Sequence, residues 1–427
     1  MQTPRTIGLA LWCAAAICVA QPPKSLTLGQ AREIALRNHP RIQSASLIAE
    51  AVNATIAQAR APYYPTVYGN LTGAGAQSGT ALAAGALTTS SLYSRAASGI
   101  AVGQMVTDFG RTASLVGTAR AKAAAQGRFA VNTRAQILLE VSQAYYQALA
   151  ADSVLKAAQA AVDNRSLTLR QVRALAASLL KSTLDVSFAE VALSEAELQL
   201  YRAENDVQAG RARLAAALGF EASAPFTLTD TALPPPLVSE PDSLIAQAMK
   251  DRPDLAGLNF NRDAAARFAD AEKRLRYPSI SASGAAGILP VHDDRLHGTY
   301  SSAGVNLNIP ILNGGLFAAR RTEAELRAKA ASSDVQDLAV QIARDVRFAW
   351  LEANTAFRRL DVTARLVAET AQALRLAQLR YDNGLGSIVE LNQAQFSQTS
   401  AEIEAASAKY EYLSRRSSLE YAVGALR

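Results

Sequence analysis

The feature that most restricts this chain is that it is written twice. Pro40 and Pro253 stand 213 positions apart, and so do Pro65 and Pro278. Around each pair runs the same succession: a short helical run, a proline, a second helical run, a Tyr-Pro step, a stretch of alternating residues, then a very long helical run. Self-similarity at a fixed offset predicts one supersecondary unit built twice and in register.

The first copy opens at Thr27-Leu28-Gly29-Gln30, a capping-box pattern in which the hydroxyl and the Gln side chain satisfy free amides of a helix start. A short helix is predicted to about Asn38, broken at His39-Pro40, with a second from Arg41 to Arg60 that ends before Pro62 and Pro65. The second copy begins at Asp242-Ser243-Leu244, breaks at Arg252-Pro253 and runs on to about Arg276.

After Pro65 the period changes from helical to two. Val67, Gly69 and Leu71 alternate with Thr66, Tyr68, Asn70 and Thr72; after Pro278, Ile280, Ala282, Gly284 and Ala286 alternate with Ser279, Ser281 and Ser283. This alternation predicts strands. Return strands follow, so four are expected, at about 65–73, 98–107, 278–288 and 301–309, in two hairpins. Each is close to the ~9–11 residues that cross a bilayer in a tilted barrel. A barrel needs ~8 strands or more to close, so a membrane sheet of four requires several copies of the chain in one barrel. A small soluble sheet is the alternative; it calls for large apolar residues on one face, and these strands are rich in Gly, Ala and Ser. The loop from about Ala74 to Ala97, full of Gly, Ala, Ser and Thr, is expected to be mobile.

Long helices are predicted at about 110–218, 315–382 and 388–425. Ile137, Val141, Ala144, Ala148, Ala151, Leu155, Ala158 and Val162 keep an unbroken 4-3 spacing, and Ala349 to Tyr381 repeats it, as in a coiled-coil seam. Aromatics at 6% and abundant Ala point to thin seams with close approach. A helix from Leu316 to Asp382 would be ~100 Å long at 1.5 Å per residue. Arg344, Asp345, Arg347, Glu352, Arg358, Arg359 and Asp361 forbid a lipid-facing helical span, so the helices stand in water outside the membrane that holds the strands. Two turns reverse them: Leu179 to Val186, and Tyr381 to Gln395. Residues 222–241, with Pro225 and Pro234-Pro235-Pro236, read as a linker or a belt strapped to the helices. The chain thus divides into residues 1–20, 21–221 (first repeat), 222–241 and 242–427 (second repeat).

Residues 1–20 read as a secretory signal: Arg5, an apolar run from Ile7 to Val19, and small residues at Cys18-Val19-Ala20. A membrane helix and lipidation at Cys18 are the alternatives; the run is shorter than the ~20 residues of a span, and Ile17 stands where a lipoprotein signal has a small residue. Cys13 and Cys18 are the two cysteines, so the mature chain has no disulfide and no Cys-based metal site. A formal net charge of +6 over 427 residues implies no nucleic-acid partner.

Chemistry is sparse. His292-Asp293-Asp294-Arg295-Leu296-His297 has metal-ligand residue types, but it lies in a hairpin loop, where charged residues are ordinary. No G-x-S-x-G, P-loop or H-E-x-x-H pattern occurs and no cofactor motif is found, so no catalysis is expected. Polarity gathers near the turns. Asp185, Glu190, Glu195 and Glu197 follow the first, and Glu390 and Asn392 the second. A carboxylate facing inward in a ring of copies would make a cation-attracting constriction; a solvated helix face is the plain alternative.

The signal, the duplicated order of helix, Tyr-Pro, strand, hairpin, strand and long helix, and Asn383-Gly-Leu-Gly-Ser-Ile-Val-Glu-Leu391 together resemble the outer membrane efflux proteins, the TolC-like family. The resemblance covers almost the whole mature chain. It implies a mainly α protein with a membrane β part: a homotrimer sharing a twelve-stranded barrel in the outer-membrane lipid, with the helices forming a periplasmic tunnel. It implies a periplasmic adaptor docked on the turns, an inner-membrane pump of RND or ABC type, and an exit duct for efflux or type I secretion. A periplasmic coiled-coil scaffold without a channel is the rival reading.

By position, the resemblance also assigns gate residues: Tyr381, its partner Asp185, and Glu390 as one acid of the constriction. Gly386 stands where the family has an arginine and Gln393 where it has a second acid, so closure is expected to rest on packing and Glu390 instead of a salt-bridged latch. Adaptor contacts are expected at Leu179, Lys181, Ser182, Gly384, Leu385 and Ser387. Leu179 replaces the glycine expected in the first turn.

Overall fold

The computed structural model describes residues 25–75, 81–84, 87–91, 94–221, 226–237, 240–292, 294 and 297–426. The expected signal at 1–20, Pro225, and Asp293, Arg295 and Leu296 of the histidine loop lie outside these residues.

Each copy begins with two short helices broken at a proline, α1 (Leu28–Asn38) and α2 (Pro40–Arg60) in the first, α5 (Pro241–Asp251) and α6 (Pro253–Lys273) in the second. The capping box at Thr27 forms as the sequence predicts. Proline at the first helical position costs nothing because that N–H has no partner inside the helix, so the chain turns there and resumes. Each copy then enters its sheet through a 3-10 turn, Ala61–Tyr63 or Arg274–Arg276.

The strands are β2 (Thr66–Ala74), β5 (Arg95–Thr107), β7 (Ser279–Val291) and β8 (Thr299–Asn308), in the antiparallel order β2-β5-β7-β8. The copies meet at β5–β7, leaving β2 and β8 as edges. Register places Val67 opposite Val102, Val102 opposite Gly284, and Ala282 opposite Val305. One face therefore carries Val67, Leu71, Ile100, Val102, Val305 and Leu307, and it is bare: Leu71 is 87% exposed and Val305 74%. The other carries Thr66, Asn70, Ser281, Ser283, Asn306 and Asn308, with Tyr300 laid across Gly99 and Gly287, where any Cβ would collide with its ring. Apolar on one side and polar on the other, with the apolar side uncovered, is the division of a barrel wall between lipid and water, not of a soluble sheet.

Inside the 74–97 loop a short hairpin forms from β3 (Ala81–Ala84) and β4 (Leu87–Ser91), which the sequence reading did not foresee; residues 76–80, 85–86 and 92–93 lie outside the described residues. This extension explains a change of offset. Before the hairpins equivalent residues are 213 apart, but beyond them 205, as in Ile137 and Ile342, Val141 and Val346, or Leu214 and Leu419.

Beyond the sheet, α3 (Arg111–Ala177) and α7 (Leu316–Asp382) each run 67 residues unbroken, and α4 (Thr183–Leu218) and α8 (Ile388–Val423) each return over 36. At ~1.5 Å per residue the long pair reach about 100 Å. Ala349, Ala353, Ala356, Thr363, Ala377 and Tyr381 of the second seam are buried as the 4-3 spacing requires. The short helices cover the half of each long helix that its partner does not reach, and α1 is tied there by Arg32 donating to Ser142 Oγ at 2.9 Å. Two equivalent cores mark these joints, one around Ile137, Tyr145 and Leu218, the other around Ile342, Val346 and Val423. Burying each such side chain contributes about 1.5–3 kcal/mol.

The proline-rich segment is a belt. Its β6 (Thr227–Leu228) pairs in parallel with the N-terminal β1 (Ser25–Leu26), and the Tyr145 hydroxyl sits between them, 2.8 Å from Leu26 O and 2.6 Å from Thr229 O. Further on, Lys409 donates to Asp230 at 2.5 Å and Arg416 to Pro235 O at 2.7 Å. Among the described residues no helix is long and apolar enough to cross a membrane.

Candidate functional site: the helical turns

Both turns end a long helix in the same way. At the first, the Leu180 N–H donates to Leu175 O and the Leu179 N–H to Ala176 O, each at 3.0 Å; at the second, Leu385 donates to Arg380 O at 2.8 Å and Gly384 to Tyr381 O at 3.1 Å. This paired closure requires a left-handed residue at the reversal. The second turn uses Gly384 at φ +72°, but the first uses Leu179 at φ +56°. A side chain there costs ~1–2 kcal/mol. Leu179 is nevertheless 93% exposed, so burial within the chain does not offset that cost.

The return helices start alike as well. The Ser182 hydroxyl accepts from the Leu184 N–H at 3.1 Å, and the Ser387 hydroxyl from the Glu390 N–H at 3.1 Å. Asp185 and Glu390 are thus equivalent acids in a first helical turn, where they favour the helix dipole. The Asp185 carboxylate accepts from the Ser182 N–H at 3.1 Å, completing a capping box.

The pairing of Asp185 with Tyr381 is not made within the chain. Tyr381 is 4% exposed, and its hydroxyl is buried without a hydrogen-bond partner. Burial first, and then the charges of Asp185 and Asp382, push its pKa up. What does reach Tyr381 from the first turn is Lys181, whose Nζ lies 4.1 Å from the ring centroid, a cation–π contact across the two hairpins.

Glu390 departs from expectation too. Arg380 Nε donates to its carboxylate at 3.0 Å and the same guanidinium donates to Leu385 O at 3.0 Å, stapling the second turn. An ion pair therefore exists here, built from an arginine upstream of the turn, not downstream of its glycine. A Cβ at Gly386 would lie 3.1 Å from Arg380 Cβ and 3.2 Å from the Glu390 carboxylate, so the glycine leaves room for the staple. Both side chains are about half exposed, and such a pair contributes ~1 kcal/mol at most. Arg173 and Glu190, 2.6 Å apart, brace the first turn likewise.

The two hairpins are joined by packing, by one hydrogen bond and by a buried polar node. Leu169, Val172 and Ala189 of the first meet Tyr381, Ile388 and Leu391 of the second, and Asn392 Nδ2 donates to Phe188 O at 3.3 Å. Above them the Arg165 guanidinium donates to the Gln395 side-chain oxygen, and Gln395 Nε2 donates to Thr168 Oγ at 3.1 Å. Arg165 and Gln395 are each 7% exposed. Burial lowers the Arg165 pKa, opposed by the charge of Glu195. Sequence reasoning passed over Arg165, Gln395 and Arg380. The signal for the first was present: Ala158, Val162, Arg165, Leu169 and Val172 continue the 4-3 seam, and a charge at a seam position marks a specified contact. Among the described residues no group of three or more His, Cys, Asp or Glu is placed to hold a metal ion.

The family profile described as "Outer membrane efflux protein" matches residues 31–220 and 244–425, one stretch per copy. The outer membrane efflux protein BepC of Brucella suis is 24% identical over 384 residues, covering 88% of this chain and 79% of its own. The protein CyaE of Bordetella pertussis is 26% identical over 387 residues, covering 87% and 78%. Among solved structures, the outer-membrane channel OprN superposes with a TM-score of 0.82 at 20% identity, over 93% of this chain and 89% of that one. A duplicated chain with a bare-faced sheet, two long helical hairpins and a profile match over both copies belongs to the outer membrane efflux protein family.

Proposed function

We propose that three copies of the chain close one barrel in the outer membrane and one helical tunnel in the periplasm, forming a passive exit duct with no chemistry of its own. The outer-membrane channel itself follows from the family, which disposes of the scaffold reading. The observation that carries the trimer is the sheet. Its apolar face is bare, each edge strand lacks an outer neighbour among the described residues, and four strands fall short of the ~8 that close a barrel. Joining β8 of one copy to β2 of the next satisfies both edges and puts Ser281, Asn306 and Tyr300 on the water-filled side.

In this reading the turns form the periplasmic mouth. Tyr381 and Lys181 latch the two hairpins, with Asp185 and Glu390 fixing the helix starts beside them. Leu179, Ser182, Gly384, Leu385 and Ser387 present the surface for a periplasmic adaptor, which couples the duct to an inner-membrane pump of RND or ABC type. An adaptor opens the mouth by differential contact with a state in which the hairpins separate. That separation breaks a cation–π contact, a small apolar cluster, the Asn392–Phe188 hydrogen bond and the Arg165–Gln395–Thr168 node, and it leaves the staples at Arg380 and Arg173 intact.

Planar-bilayer recording tests this. The purified protein is expected to run as a trimer and to conduct weakly; Lys181→Ala is expected to raise its conductance several-fold, whereas Asp185→Ala changes it slightly. A protein that forms no conducting trimer refutes the duct, and a large rise with Asp185→Ala refutes the latch as assigned.

A further inference from the structure

We propose that the junction between sheet and helices of the second copy is a binding site for an anionic phospholipid headgroup of the periplasmic leaflet. The duplication provides an internal control. The same 3-10 turn enters the sheet in both copies, Ala61–Tyr63 and Arg274–Arg276. The first copy carries one cation there, Arg60; the second carries Lys273, Arg274 and Arg276 at the equivalent step before Tyr277. The fold forms this turn without the additional cations, so their reason lies elsewhere.

A second departure sits beside them. Where each copy leaves the sheet for its long helix, two successive residues are left-handed: Gly314 and Gly315 in the second copy, Phe109 and Gly110 in the first. Phe109 holds φ +54° and is 51% exposed, a strained and uncovered aromatic where glycine serves equally well. Arg274 donates to Phe109 O at 3.2 Å, which brings the two departures together. The Arg276 guanidinium lies 5.3 Å from the ring centroid of Tyr277, which is exposed. Among the described residues no carboxylate lies within ion-pair distance of Arg274 or Arg276.

Position supplies the ligand. The bare aliphatic face ends here, and the polar helices begin. At that depth a membrane presents glycerol and phosphate, where aromatic rings and basic side chains are favoured. Guanidinium groups without a carboxylate suit a phosphate, which accepts two parallel hydrogen bonds, and Phe109 and Tyr277 flank the acyl boundary. The site depends on the membrane placement of the sheet and not on what passes through the barrel.

The test uses the full protein in nanodiscs of phosphatidylcholine with and without phosphatidylglycerol, with bound lipid counted by native mass spectrometry. The wild type is expected to retain phosphatidylglycerol preferentially. Lys273→Gln with Arg276→Gln is expected to weaken that retention about 25-fold, at about fivefold per cation, and to leave phosphatidylcholine retention unchanged; Arg274 is kept because it holds Phe109. The exchange Lys273→Arg with Arg276→Lys restores the preference, and far-ultraviolet circular dichroism confirms that the variants keep their helices. Equal preference in wild type and double variant, no preference in the wild type, or displacement of the lipid by millimolar inorganic phosphate overturns the proposal. Conductance recorded from the same preparations separates this from the duct: loss of the lipid site leaves the pore, and absence of a pore leaves the lipid count.

Discussion

Replacing Leu179 by glycine should make the tip more stable and the pump less effective. The left-handed conformation at φ +56° costs a side chain ~1–2 kcal/mol, and glycine removes that cost. Against this, glycine adds freedom to the unfolded chain worth ~0.5–1 kcal/mol. No burial is lost within the chain, since Leu179 is 93% exposed. The balance is a gain of about 0.5–1 kcal/mol, or roughly 2–5-fold slower opening of the turn. Hydrogen exchange read by mass spectrometry over a peptide spanning residues 172–182 should show that slowing at the amides of Leu179 and Leu180, which close on Ala176 and Leu175. In cells the same variant should accumulate pump substrate, because the docking role proposed for Leu179 requires its exposed side chain. Faster exchange would show that the leucine stabilises the turn after all; slowed exchange with undiminished efflux would remove Leu179 from the docking surface.

Two further outcomes follow from buried hydroxyls. Tyr381→Phe deletes a hydroxyl that is buried without a partner, at a site where an unsatisfied polar group costs ~1–3 kcal/mol; thermal stability should rise and conductance stay as in the wild type, and a several-fold conductance increase would reveal a partner supplied by a neighbouring copy. Tyr145, whose pKa burial pushes up to about 12, ionises at about 10 when unfolded. Its contribution to the belt is therefore complete below pH 10 and is lost as pH rises from 10 through 12, so protease cleavage within 226–237 should appear over that window and begin at lower pH in a Tyr145→Phe control only if the hydroxyl is what holds the strands.

The architecture was legible in the sequence because its signals are local. Prolines at a constant offset, the switch to period two after Pro65 and Pro278, and the 4-3 seams each depend on residues within a few turns of one another, and α7 spans Leu316–Asp382 as the spacing required. The turns were legible as places and less so as chemistry. Asp185 and Tyr381 lie at matching positions, but the direction of the Asp185 carboxylate is set by the Ser182 amide three residues away. Arg165 stands out as a charge in the 4-3 seam, but nothing local in the sequence names Gln395, 230 positions away, as its partner. Arg380 escaped notice because the expected arginine was sought after the glycine, and the side of a tight turn from which a guanidinium folds back is decided by the room that Gly386 leaves. The parallel pair of Ser25–Leu26 with Thr227–Leu228 is too short to carry any strand pattern.

The open edges of the sheet also govern how the protein is made. β2 and β8 present 9 and 10 residues of backbone whose outward amides and carbonyls pair with no other strand among the described residues, and in hydrocarbon each such group costs several kcal/mol. A single copy is thereby barred from the bilayer core. In the proposed trimer, insertion and association become one event, and its rate rises with the cube of the free-chain concentration: halving the free copies in the periplasm cuts the encounters of three about eightfold. The rate at which new ducts assemble is then a steep function of the pool of free chains.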